Sequence, residues 1–199
     1  AVENQRSNPL NNTYRDATLV YGNFRVIYNV GFRDKGSPYH GGGGSFALEN
    51  GPDDPLLGTT ERVFRTTGNG GEESTGIRNP LCAWIGQQMG IPYLNTHYMR
   101  LYRSGGQSGP VYNVMLDEEI PSGSYAADVF PSDNEGDLYK IAIWFEFDDN
   151  NSGFAAVSST IESFKTGGAF NLGRYRWNWQ TRGYGGTAND YTNIFRLVT

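Results

Sequence analysis

Glycine interrupts this chain too often for long helices to run through it. There are 27 glycines in 199 residues, four of them consecutive at Gly41–Gly44. Glycine loses the most backbone freedom in a helix and supplies the turns that end strands. The segments between glycines are short, and several alternate. Phe24, Val26, Tyr28, Val30 and Phe32 share one face of a stretch whose other face carries Arg25, Ile27, Asn29 and Gly31, the pattern of a half-buried strand. Ser45–Glu49 reads as the strand leaving the Gly41–Gly44 loop, and residues 51–58 as a turn-rich connection. Thr96–Arg103 and Val111–Leu116 flank a loop containing Gly105, Gly106 and Gly109, which predicts a hairpin with a long turn. Leu138–Phe147 is a strand rich in β-branched and aromatic residues, and Tyr175, Trp177 and Trp179 alternate with Arg176 and Asn178.

One segment has a clear helical period. Ile77, Leu81, Trp84, Ile85 and Met89 recur at helical spacing over Thr75–Met89, with Pro80 allowed only in the first turn, Gly90 placed to cap the end and Pro92 blocking continuation. Cys82, the single cysteine, lies beside that stripe and reads as a small core residue. Shorter helices are expected near Tyr125–Phe130, Phe154–Phe164 and Asn189–Val198, the last capped by Asn189 or Asp190. The fold class that follows is α+β, a mostly antiparallel sheet with a few short helices. Residues 1–16 read as an irregular lead-in and 17–199 as one domain.

The charge balance, 16 basic against 21 acidic residues, gives a net charge of −5. That argues against nucleic acid as a partner, because neutralising phosphates needs a basic surface. No apolar run is long enough to span a bilayer. One cysteine excludes an internal disulfide.

Familiar catalytic and metal motifs are absent. The sequence has no H-E-x-x-H, C-x-x-C, EF-hand loop, G-x-S-x-G or Walker A pattern. Gly41–Gly44 lacks the Lys-Ser/Thr of a P-loop and reads as a flexible loop. The acidic groups at Asp53-Asp54, Asp117-Glu118-Glu119, Asp133–Asp137 and Asp148-Asp149 read as solvated turns, although each has the oxygens a magnesium site uses. Lys140, inside the apolar Leu138–Ile141 strand, points either to solvent or into a cleft. His97 reads as a packed or surface histidine. The 13 tyrosines and four tryptophans leave room for a carbohydrate- or protein-binding module, their ordinary use being core packing.

Seven short segments, in order, resemble landmarks of the CotH (spore-coat protein H-like) kinase family. They are Phe32-Arg33-Asp34-Lys35-Gly36-Ser37, Asp53–Gly58, Ile77-Arg78-Asn79-Pro80-Leu81, Gly90-Ile91-Pro92-Tyr93, Val111–Glu119, Gly136-Asp137-Leu138-Tyr139-Lys140, and Tyr175–Trp179 with Asn189-Asp190-Tyr191. The resemblance covers roughly residues 20–199. It implies an atypical protein-kinase-like domain, secreted or at the cell surface, that uses ATP and Mg²⁺ to phosphorylate hydroxyls of a protein substrate. Carried over residue by residue, it makes Arg33, Lys35, Arg78, Glu119 and Lys140 the nucleotide-binding set. Two departures stand out. No basic residue precedes Phe46 in Gly43-Gly44-Ser45-Phe46. The family's catalytic Asp and its W-D-x-D metal motif are also missing, since Trp144 is followed by Phe145-Glu146-Phe147-Asp148. The expectation is therefore an incomplete kinase-like domain, inactive by itself.

Overall fold

The computed structural model describes residues 13–35, 45–67, 76–103, 111–141, 161–183, 187 and 189–199. The expected helix over Phe154–Phe164, the Gly41–Gly44 loop and the second half of the Leu138–Phe147 strand fall wholly or mostly outside these residues. The fold is α+β with mainly antiparallel strands, and the chain divides into two compact units, Ala1–Ile120 and Pro121–Thr199.

The first unit is built on a six-stranded antiparallel sheet. Its strands are β1 (Arg15–Tyr21), β2 (Arg25–Asp34), β3 (Phe46–Glu49), β4 (Glu61–Thr66), β5 (Thr96–Arg103) and β6 (Val111–Glu119), in the order β1-β2-β3-β4-β6-β5. The expected lead-in thus gives way to a strand at Arg15. The two edge strands curl towards each other. Leu19 and Tyr21 of β1 and Met99 and Leu101 of β5 pack on one shared core of Ile27, Val30, Phe46, Leu48, Leu56, Phe64 and Met115. At one end the Tyr21 hydroxyl lies 3.3 Å from His97 Nε2, joining the edges by a hydrogen bond.

The alternation in β2 does not hold along the whole strand. Ala17 pairs with Val30 but Leu19 with Ile27, so β2 carries one residue more than β1 at this point. Asn29 takes up the extra residue with φ 56°, the left-handed region that asparagine tolerates better than most side chains. The bulge flips the facing of everything before it. Ile27 is 1% exposed and Phe24 75%, the reverse of the face they would occupy in an unbroken strand, while Val30 stays inside. Asn29→Gly should leave stability within a few tenths of a kcal/mol. Asn29→Val should cost about 1–2 kcal/mol, because a β-branched residue resists positive φ; urea denaturation measures both.

Between β4 and β5 lies α1 (Arg78–Met89), with Pro80 in its first turn and Gly90 at φ 65° closing it, its N–H bonded back to Gln87 O. The helix meets the body through its small residues. Gly86 is its one buried position, and a Cβ there would come within 2.8 Å of Tyr93 Cβ. Cys82 is exposed rather than in the core. A helix that approaches through glycine turns its larger side chains away, and Cys82 goes with them.

The second unit contains α2 (Gly123–Val129), β7 (Leu138–Ile141), β8 (Lys165–Thr166), β9 (Ala169–Phe170), α3 (Leu172–Asn178), β10 (Trp179–Gly183) and α4 (Thr192–Leu197). β7 pairs with β10 and β8 with β9, both antiparallel. Tyr175–Asn178 is helical, not extended. Asn171 starts that helix by accepting the Arg174 N–H on Oδ1 at 3.1 Å; Tyr175 and Trp177 lie in its last turn and Trp179 opens β10. Tyr175, Trp179, Tyr191 and Ile194 form the core of this unit. The terminal helix begins later than Asn189; Asp190 Oδ1 accepts the Thr192 N–H at 2.9 Å, and this bonding holds its carboxyl below the ordinary range. Among the described residues no helix is long and apolar enough to cross a membrane.

Candidate functional site

Sheet register decides which polar side chains enter the curl, because directly paired residues share a face. Asp34 pairs with Phe46, Phe46 with Phe64, Phe64 with Asp117, and Asp117 with His97. One row along, Phe32 pairs with Leu48, Leu48 with Arg62 and Arg62 with Glu119. The face that carries Phe46, Phe64 and Leu48 into the core therefore also carries Asp34, Arg62, Asp117 and Glu119.

All four are buried, Asp117 completely. Asp117–Glu119 is thus the end of strand β6 and not a solvated turn. The stretch continues the β6 ladder with β4 and β5, so alternation turns Asp117 and Glu119 inward whatever their charge. Arg62 makes this tolerable. Its Nε donates to Asp117 Oδ1 at 2.5 Å and its Nη1 to Thr59 Oγ1 at 3.0 Å. The other Asp117 oxygen lies 3.1 Å from His97 Nε2, close but without the geometry of a directed hydrogen bond. Thr59, Arg62, Asp117, His97 and Tyr21 form one chain from the interior to the seam between β1 and β5, where the His97 side chain is 41% exposed.

Glu119 is held separately. Its Oε2 accepts the backbone N–H of Asn95 at 3.2 Å and Asn95 Nδ2 at 3.0 Å, while Oε1 is buried without a hydrogen-bond partner. On the opposite face of the sheet Glu118 pairs with Arg65, whose Nε is 3.1 Å from Oε2.

The five residues named from the sequence are spread over several elements. Arg33 lies in β2 with its guanidinium 4.9 Å from the centre of the Tyr14 ring, on the face opposite Asp34. Lys35 follows β2, its N–H bonded to Ser45 O at 2.8 Å. Arg78 opens α1 and is exposed. Glu119 ends β6. Lys140 lies in the second unit, on β7, and is solvent-facing. The sequence reading did not single out Arg62 or Thr59, and it weighed Asp117 only as part of an acidic, solvated turn. A charged residue at an inward position of Glu61–Thr66 was the available signal for Arg62, since Val63 and Phe64 mark that stretch as a strand.

Among the described residues no three His, Cys, Asp or Glu side chains converge. Magnesium commonly takes one or two carboxylates and completes its shell with phosphate and water, and the buried Glu119 Oε1 has no hydrogen-bond partner.

A scan of the sequence against protein-family models finds no match, and a search of characterised proteins finds none either.

Proposed function

We propose that these residues form the nucleotide-holding part of a CotH-type protein kinase domain. The whole domain passes the γ-phosphate of ATP, with Mg²⁺, to hydroxyls of a protein substrate, outside the cell or at its surface. The observation that carries the reading is the order of parts in the first unit. Protein kinases cover the ATP phosphates with a glycine-rich loop, place a cation on the third strand, and follow it with a helix. Here β2, the Gly41–Gly44 run of the sequence, β3, the arginine-bearing β4 and α1 come in that order.

One part is arranged differently. Kinases order the third-strand cation with an acid on the following helix. Helix α1 has no Asp or Glu, and the carboxylate on Arg62 comes from Asp117 of β6. Arg62 is enclosed, so it fixes β6 rather than touching phosphate. Arg33, Lys35 and Arg78 of the first unit are then the groups proposed for the ligand; Glu119, 2% exposed, is as enclosed as Arg62 and steadies Asn95, and Lys140 belongs to the second unit. ATP supplies the reactive phosphate and Mg²⁺ neutralises its charge; the acids that would drive transfer are not in this sequence.

Calorimetric titration with Mg·ATP tests the proposal. Saturable binding is expected, weakened about tenfold by Arg78→Gln, the scale of losing one charge-assisted contact, with no phosphate transfer. Absence of binding at millimolar ATP would sink it. Phe24, in the turn before β2, and Tyr28 on the strand, both exposed, favour a carbohydrate- or protein-binding module as the second reading. Glycan-array binding with no effect of nucleotide on the melting temperature would decide for that one.

A further inference from the structure

Helix α1 wears its apolar stripe on the outside. Ile77, Leu81, Trp84, Ile85 and Met89 are between 41% and 66% exposed, although their spacing is that of an amphipathic helix facing a core. The side turned to the protein holds Asn79, Ala83 and Gly86 instead. Five half-exposed large side chains along one short helix and its N-cap amount to a patch on the order of 600 Å², the upper end of what a monomer leaves open.

We infer that this stripe is a self-association surface, paired α1 against α1 with a second copy of the chain about a two-fold axis. Three observations favour a second copy over an unlike partner. The helix contains no acid, and its only charge, Arg78, sits at one end. An antiparallel pair therefore sets the two arginines at opposite ends and brings no like charges together. The stripe is also symmetric about position 83, so the axis pairs Ile77 with Met89 of the other copy and Leu81 with Ile85 of the other copy, as an isologous interface requires. Lastly, the patch counted on both copies is about 1,200 Å², within the range of specific interfaces, with Trp84 near the centre in the position of a hot spot.

Sedimentation of the full chain at about 100 µM, above the micromolar range common for interfaces of this size, should show a dimer. The association should strengthen with salt, because two chains of net charge −5 repel at low ionic strength. Trp84→Glu should weaken it by about 30-fold or more. Being an exposed substitution, it should leave the melting temperature of the dilute protein nearly unchanged. Cys82 lies one residue from the axis, so a short bis-maleimide should link two copies of the wild type and not of Trp84→Glu. A chain that stays monomeric at high concentration overturns the inference, whether or not another partner covers the stripe. So does a Trp84→Glu variant that dimerises as well as the wild type, or linkage at Cys82 that the substitution does not reduce.

Discussion

Asp117→Ala should cost the first unit about 3–5 kcal/mol, the range for removing one partner of a buried ion pair. Its partner Arg62 is 1% exposed and bonded through Nε to Asp117 and through Nη1 to Thr59. Without the carboxylate, a full positive charge stays in the core with one hydroxyl for company. A loss of this size is comparable to the whole stability of many domains, so the urea midpoint should fall steeply and amides of β4 and β6 should exchange faster. The contribution of the pair itself is a different quantity. Arg62→Met with Asp117→Leu removes both charges and keeps much of the volume, and such replacements are often neutral or stabilising. The double variant should therefore recover most of the loss. His97→Ala should cost under about 1 kcal/mol, because its contact is partly exposed and solvent screens it. If Asp117→Ala proves as mild as His97→Ala, Arg62 is compensated in another way and the account of the inner face fails.

The same residues show where sequence reasoning succeeds and where it stops. The β5–β6 hairpin, helix α1 and its Gly90 cap were legible because each rests on local signals: alternation, a helical period, a residue suited to positive φ. The bulge at Asn29 was not. Phe24, Val26 and Tyr28 make a good strand face, and only the pairing with β1 shows that Ile27 takes the interior. Asp117–Glu119 was misread for a related reason. Three consecutive acids describe a solvated turn until a partner is known, and the partner of Asp117 lies 55 residues earlier. Tyr175–Asn178 failed differently. A period of two over five residues is too short to exclude a helical turn, and Asn171, three residues before the capped Arg174 N–H, was the better signal. The kinase reading rests on order at two levels, the seven short segments of the sequence and the sequence of elements in the first unit, because each segment is weak when taken singly.

Tyr175→Ala should be the most damaging single change in the second unit, costing about 3–5 kcal/mol as large aromatic truncations in cores do. Tyr175 is 0% exposed and touches the rings of Phe164, Phe170 and Phe195, with centroid distances of 5.7, 6.1 and 5.1 Å. Its hydroxyl accepts the Phe164 N–H at 3.1 Å and donates to Glu162 O at 2.7 Å. One side chain thus ties the segment leading into β8 to the helix α3 that carries it. Tyr175→Phe separates the two contributions. It keeps the ring contacts and strands one N–H and one carbonyl, an expected loss of about 1–3 kcal/mol if neither reaches water. Glu162 is exposed and Phe164 half-buried, so water can reach at least the first of these, and the lower end of that range is expected. Packing should then account for the larger share of the Tyr175→Ala effect. Hydrogen exchange gives the local check: Tyr175→Phe should speed exchange at the Phe164 amide selectively, whereas Tyr175→Ala should speed it throughout α3 and the β8–β9 pair. Equal losses for the two variants would mean that the hydroxyl, and not the ring, holds this unit together.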